Sequence, residues 1–360
     1  ADGAGATHIT LAANYTFGAT AAATTTTHVA NIDSIADNTS GVVTATITGS
    51  GSLSTAQINS NLGTIGGSDA LTVTLHAETA AATDLTGIDG KTSVEVNATA
   101  ITGISSSTLA NTLTATADTS GAINVDTDYT VALSDSDAWD DGTAATAGLN
   151  LLLGRTTGAV TGTVTGETVA NIMDSSTGLT NMASTDSIAI TISDTADAAA
   201  DLNALDAKTG GTVTATTITN ITSSTIESIE DAESSTGLTL DNNFTATFSN
   251  TGTLTNAQLD DLGTVRAATT GTITGAITGT ASNIRTRIGD SDEDALTITL
   301  AAGSHAASDI TLINLETSEA IAGNALTTIT GTEDQITASL AEDTAGTIVI
   351  DTDFNATISG

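Results

Sequence analysis

The residues best suited to chemistry in this chain are aspartates at alternate positions. "DSDED" sets Asp290, Asp292 and Asp294 at i, i+2 and i+4, and "DTD" sets Asp126 beside Asp128 and Asp351 beside Asp353. "DSDAWDD" adds Asp135, Asp137, Asp140 and Asp141. Carboxylates so spaced offer oxygen to a hard cation, and calcium is the cofactor that this donor set suits. A formal charge of −36 gives a second motive, because a bound cation relieves self-repulsion. Asp126, Asp128, Asp290, Asp292, Asp294, Asp351 and Asp353 are therefore the candidate metal ligands. No complete EF-hand loop follows Asp290, since the glycine at the sixth position and the closing glutamate are missing, and the glycine-rich nonapeptide of calcium-loaded β-rolls is absent too. Solvated acidic turns are the competing reading.

Other chemistry finds no support in the residues. His8, His28, His76 and His305 are isolated, with no pair at metalloprotease spacing, and no serine sits in G-x-S-x-G. "GSGSLST" lacks the lysine of a phosphate loop. The absence of cysteine excludes disulfides, thiolate zinc sites and thiol catalysis together. No enzyme is expected. Only Lys91, Lys208, Arg155, Arg266, Arg285 and Arg287 oppose 42 acidic residues, so nucleic acid and anionic lipid surfaces are poor partners. No apolar run reaches the roughly 18 residues of a membrane span. "ADGAGATHITL" lacks the basic start and apolar region of a signal peptide. Asn14, Asn38, Asn97, Asn220, Asn243 and Asn355 head N-x-S/T sequons, which a chain rich in Asn and Thr generates by composition.

The elements that carry these residues repeat. "DALTVTL", "DSIAITI" and "DALTITL" begin at Asp69, Asp186 and Asp294, separated by 117 and 108 residues. Fifteen residues after each first Asp stands another that opens a helix-like stretch: "DLTGIDGKT", "DLNALDAKT" and "DITLINLET". "AANYTFGAT", "DTDYTVALS", "DNNFTATFS" and "DTDFNATIS" align Tyr15, Tyr129, Phe244 and Phe354, four of seven aromatics. "SGVVTATITG", "TGAVTGTVTG" and "TGTITGAITG" align Gly41, Gly158 and Gly271. The modules run 42–158, 159–271 and 272–360, the last truncated, after a partial repeat at 1–41. A chain that begins and ends inside its own repeat reads as a fragment or processed segment.

Each module contains four strand-like segments. They start near Val42, Leu71, Val94 and Ile123; near Ala159, Ser187, Thr212 and Leu238; and near Thr272, Leu296, Glu319 and Thr347. Between them, stretches such as "STAQINSNLGTI", "GETVANIMDSS", "SSTIESIEDAES", "TNAQLDDLGTV", "TASNIRTRIGD" and "TEDQITASLAED" combine an N-cap residue with helical apolar spacing. One strand plus one short helix makes one coil of a solenoid, whose apolar edge is covered only by the next coil. The sequence thus predicts a mainly β repeat protein, a parallel β-solenoid of about twelve coils with short helices between strands. Twelve strands stacked at about 4.8 Å would give a rod roughly 60 Å long. The alternative is a row of tandem β-sandwich domains, each the size of one module.

"DLNALDAKTGGTVTATTITNIT" and "ITGTASNIRTRIGD" resemble the Thr/Ala/Gly-rich repeats of giant cell-surface and secreted proteins of marine cyanobacteria and related bacteria. The likeness covers most of the chain and is strongest in the central module. It implies an extracellular or cell-surface location and a structural or adhesive role, with no catalytic residues to carry over. The expected function is a structural repeat protein that forms a filament, sheath or surface layer by stacking and lateral self-association, with divalent cations helping Thr/Ala/Val faces to pack side by side. An adhesin stalk or binding module for a glycan, calcium or ice is the alternative, the last suggested by outward T-x-T strands.

Overall fold

The computed structural model describes residues 13–117, 122–138, 148–289 and 294–359. Along the chain run β1 (Phe17–Gly18), α1 (Thr26–Ala36), β2 (Val43–Thr48), α2 (Thr55–Asn61), β3 (Ala70–Thr74), β4 (Thr79–Ala80) and α3 (Ala82–Asp89). Next come β5 (Val96–Ala98), β6 (Gly103–Ser107), α4 (Leu109–Ala115), β7 (Ile123–Val125), β8 (Thr130–Leu133) and α5 (Leu149–Leu153). The middle contains β9 (Val160–Glu167), α6 (Val169–Met173), β10 (Ser187–Ile192), β11 (Ala196–Asp197), α7 (Ala199–Asp206), β12 (Val213–Ala215), β13 (Asn220–Ser224) and α8 (Ile226–Ser234). There follow β14 (Leu238–Leu240), β15 (Thr245–Phe248), α9 (Asn256–Ala268), β16 (Ile273–Gly279), α10 (Ala281–Ile288), β17 (Ala295–Leu300), β18 (Gly303–Ala306) and α11 (Ala307–Ile313). The last are β19 (Ile321–Gly323), β20 (Leu326–Gly331), α12 (Glu333–Ala345), β21 (Ile348–Ile350) and β22 (Asn355–Ile358).

All twelve predicted strand starts fall on a strand or within two residues of its first residue: β2, β3, β5, β7, β9, β10, β12, β14, β16, β17, β19 and β21. Every pairing between these strands is parallel, which sets aside the antiparallel sandwich. The expectation of a mainly β protein is corrected to a mixed α/β one. The connectors are full helices of up to 13 residues, and many strands are two or three residues long.

The chain divides into two compact units, Ala1–Val164 with Asp174–Ala189, and Thr165–Met173 with Ile190–Gly360. In the first, one sheet has the order β1-β2-β3-β5-β7, and β4, β6, β8 and β9 pair in a second row. In the second, β10, β12 and β14 pair in sequence, a seven-stranded sheet runs β11-β13-β15-β16-β17-β19-β21, and β18-β20-β22 form a third row. Strand pairs are about one repeat apart in sequence, as in Thr46↔Thr72 and Ile277↔Ile298. Within each unit the helices pack in chain order, α1 to α5 and α6 to α12.

Alternation decides which side chains go inside. In β2, Val43, Ala45 and Ile47 are buried while Thr44 and Thr46 are exposed. β-branched residues suit this pleated surface, and Thr on the outer positions keeps it wet. The helices contribute Val29 and Ile32, Leu85 and Ile88, Leu202 and Leu205, or Ile226 and Ile229, each set at i, i+3. Aliphatic side chains fill this thin layer, and among the described residues Tyr129, Phe244 and Phe248 are the only buried Phe, Tyr or Trp.

The seven-stranded sheet explains why the module is longer than one repeat. Most repeats have two strands before the helix, but β2, β9 and β16 stand alone before α2, α6 and α10. At β15·β16 the sheet therefore changes from second strands (β11, β13, β15) to first strands (β16, β17, β19, β21). The same change occurs at β1·β2 and β8·β9. Once per module the stacking slips by one strand.

Candidate functional site

Four kinds of contact join one repeat to the next. The first is at helix N-termini. Ser54, Thr108, Thr225, Thr255 and Thr280 accept the N–H of the third helical residue, which is ordinary local capping. The first helical N–H is taken by the following repeat. Thr55 N donates to Glu78 Oε1 (2.6 Å), Ala82 N to Ser107 Oγ (2.8 Å) and Leu109 N to Asp135 Oδ2 (2.6 Å). In the second unit Val169 N donates to Asp194 Oδ2 (2.7 Å), Ala199 N to Ser224 Oγ (2.7 Å), Ile226 N to Asn250 Oδ1 (2.7 Å) and Ala281 N to His305 Nδ1 (3.1 Å). A helix start that lacks this acceptor leaves a polar group unsatisfied.

The second contact is the repeating Asp. Val43 N donates to Asp69 Oδ1 (2.7 Å), Val160 N to Asp186 Oδ1 (2.9 Å) and Ile273 N to Asp294 Oδ1 (2.8 Å). Each aspartate thus fixes the first residue of the strand one repeat earlier. The other oxygen of Asp69 and Asp186 accepts a backbone N–H three residues back, from Gly66 (3.1 Å) and Ala183 (2.9 Å). Asp294 instead takes Arg266 Nε (2.6 Å), and Arg266 Nη2 reaches Glu316 Oε2 (2.9 Å). All three are buried, at 3%, 6% and 8% exposure, so each charge depends on the others. Arg266 Nη1 also donates to Ile288 O (2.9 Å), locking α9 to the end of α10.

The third is a threonine hydroxyl at the start of a repeat. Thr92 Oγ1 donates to Leu71 O (2.9 Å) and accepts Leu71 N (3.0 Å), and Thr317 does the same with Leu296 (2.7 and 3.1 Å). The fourth is the slip joint, where the glycine and aromatic columns meet. Thr39, Thr156 and Thr269 donate to the carbonyls of Tyr15, Tyr129 and Phe244, and accept the N–H of Gly41, Gly158 and Gly271 (3.0 Å each). A Cβ on any of these glycines would overlap that same carbonyl, so glycine is required by the close approach of two backbones. Burial pushes the Tyr129 phenol above its ordinary pKa.

Among the described residues, the predicted metal ligands do not converge with a third donor. Asp126 and Asp128 are exposed in the turn after β7, and Asp351 and Asp353 in the turn after β21. Asp126 and Asp351 each accept the N–H of the next residue (2.7 Å). The Asp294 carboxylate is engaged by Ile273 and Arg266, and Asp290 and Asp292 lie outside the described residues. No group of three His, Cys, Asp or Glu that could hold a metal ion occurs among the described residues. No helix among them is long and apolar enough to cross a membrane. His28 is exposed, His76 Nδ1 lies 3.6 Å from Glu78 Oε1, and His8 is outside the described residues. His305 is a buried cap: Nδ1 accepts from Ala281 while Nε2 pairs with Ala301 O (2.9 Å), which fixes the neutral tautomer.

The sequence shows the Asp, Gly and aromatic columns but not that each Asp holds the start of the preceding strand, that a threonine joins the glycine to the aromatic residue, or where the capping positions lie. The signal for the caps was present, since Ser107, Ser224 and His305 each stand two residues before the next helix, but it changes residue type. What the arrangement does chemically is join backbone to backbone across repeats. Comparison of the chain with protein-family models, with curated proteins and with solved structures finds no match in any of the three.

Proposed function

We propose that this chain is an extracellular or cell-surface structural protein whose repeats wind as coils of one solenoid. Its role is mechanical and non-catalytic: it builds a filament, sheath or surface layer by stacking and side-by-side self-association. The observation that carries this reading is the capping of one repeat's helix by the next repeat's side chain, from Glu78 to His305. A fold in which each part is completed by its neighbour extends by addition, as repeat arrays do. Aliphatic layers without a deep interior, and rungs such as Arg287–Asp260 (2.6 Å) and Arg285–Asp309 (2.8 Å) between neighbouring helices, support the same reading. With a charge of −36, lateral packing calls for screening or divalent cations.

Negative-stain images and sedimentation profiles of the 360-residue chain, with and without millimolar calcium, test this. Extended particles that associate with rising concentration and cation are expected. Compact, isolated particles under every condition would contradict it.

A further inference from the structure

We propose that the pocket beside the slip joint of β15 and β16 is a binding site for a guanidinium group supplied by another molecule. This goes beyond the assembly reading and does not depend on it. The pocket, of about 230 Å³, lies within the second unit, and Glu233, Leu240, Asp241, Asn242, Phe244 and Ala268 are among the residues that line it. Glu233 is on the last turn of α8, Asp241 and Asn242 follow β14, and Ala268 ends α9. The row β10-β12-β14 stops here because the next repeat has the single strand β16, and that strand pairs with β15.

The corresponding joint of the first unit has an arginine in this place. Arg155 precedes Thr156 as Ala268 precedes Thr269, and the two threonines bond Gly158 and Gly271 alike. Arg155 Nη1 donates to Leu113 O (2.7 Å) and Thr116 Oγ1 (3.2 Å) at the end of α4. Counted from the helix starts Leu109 and Ile226, those two positions correspond to Glu230 and Glu233 of α8. Tyr129 corresponds to Phe244, and burial raises the pKa of its phenol against the pull of Thr116 and Arg155 beside it. The second unit thus has alanine for arginine, phenylalanine for tyrosine and glutamate for threonine. Two side chains are shorter, which opens the pocket, and the third brings a carboxylate to it.

The surrounding charge has the matching sign. Burial and the nearby acids Asp261, Asp231 and Glu233 raise the pKa of Glu230, so its ionised form gains from a cation placed here. A guanidinium suits this lining because it is planar, pairs with carboxylates and stacks on aromatic side chains. The chain's own four arginines are committed elsewhere: Arg155 to the end of α4, Arg266 to Asp294 and Glu316, Arg285 to Asp309 and Arg287 to Asp260. The group therefore comes from outside the chain.

Titration of the full chain with n-propylguanidinium, which reproduces the arginine side chain, tests the site through two-dimensional amide spectra. Saturable shifts are expected at Glu233, at Leu238 to Asn242 and at Ala268, with n-butylammonium and sodium at equal ionic strength giving smaller shifts that do not saturate. Glu233→Gln should weaken binding about tenfold, as loss of a charged hydrogen-bond partner does. Ala268→Arg supplies the group from within, so it should abolish the shifts and raise the urea midpoint. Arg155→Ala makes the reverse change in the first unit: the midpoint should fall, and millimolar n-propylguanidinium should recover part of it while shifting Leu113 and Thr116. A short peptide with one central arginine separates the two sources of the group. Tighter binding than n-propylguanidinium marks an arginine of a partner chain, and equal binding marks a free guanidino solute. The proposal is overturned if the unmodified chain shows no saturable shifts, if n-butylammonium does as well, or if binding survives both Glu233→Gln and Ala268→Arg undiminished.

Discussion

Gly271→Ala isolates the slip joint. An added Cβ would overlap the carbonyl of Phe244 and crowd that of Asn243, and both obstacles are backbone, so no side chain can swing away. To admit the methyl, β16 must draw back from β15. That weakens the bonds that hold the two strands together: Thr269 Oγ1 to Phe244 O (2.6 Å), Ala246 N to Thr272 O (3.2 Å) and Thr270 N to Asn242 O (2.9 Å). Overpacking a tight site costs about 1–3 kcal/mol, and each buried hydrogen bond lost adds roughly 1 kcal/mol. With about two of the three bonds lost, the expected total is about 3–5 kcal/mol. Gly51→Ala is the control, since an added Cβ there meets nothing within 4 Å and the backbone is not in the left-handed region; a change of under about 0.5 kcal/mol is expected. Urea unfolding followed by circular dichroism reads both as midpoint shifts at constant slope. Equal midpoints for the two variants would refute the argument that glycine is required by backbone contact.

Arg266→Met leaves Asp294 and Glu316 buried without their cation and should cost about 3–5 kcal/mol in the same urea assay; adding Asp294→Asn and Glu316→Gln should restore much of the loss. Ser224→Ala deletes the acceptor for Ala199 N–H, with an expected cost of about 1–2 kcal/mol, and amide exchange should quicken at the start of α7. The pH dependence should favour mild acid. Burial and the repulsion between neighbouring acids on α8 and α9 raise the pKa values of Glu230 and Asp261, and burial raises those of Asp89 and Asp197. A raised folded pKa means that ionisation opposes the fold, so this penalty is present at neutral pH and lifts as pH falls through those values. Asp174 and Glu227 are held low by hydrogen bonds, and their stabilising contributions fade only at lower pH. The melting temperature at low salt should therefore rise as pH falls from neutral toward these raised values, and Glu230→Gln should raise it at neutral pH and flatten the slope. A steady fall over that range would contradict this.

The sequence was legible where one residue type does one job repeatedly. Short apolar segments, many alternating with Thr, marked all twelve of these strands to within two residues, N-cap residues with helical spacing marked α2, α6, α8, α9, α10 and α12, and an Asp opening a helical stretch marked α3, α7 and α11. α1, α4 and α5 were missed. α4 reads "LANTLTA" and α5 is five residues long, so neither offers an extended apolar stripe. The second strands β4 and β11 were also missed, because two residues cannot display a period. Asp294 was read as a calcium ligand on its spacing within "DSDED", whereas its partners Arg266 and Ile273 are 28 and 21 residues away in sequence. The capping column varies among Glu, Ser, Asp, Asn and His because any acceptor satisfies one N–H, which hides it from a search for identical residues.

The claim on which the rest depends is that successive repeats lie side by side, parallel and in register. Thr278, Thr299, Ala322 and Val349 form one row across β16, β17, β19 and β21. Spin labels placed pairwise, with one fixed at position 349 and the other at 322, 299 or 278, measure that row directly. The separations should grow in equal steps of about 4.8 Å per strand. A distance from position 349 to 278 no longer than that to 322 would contradict it.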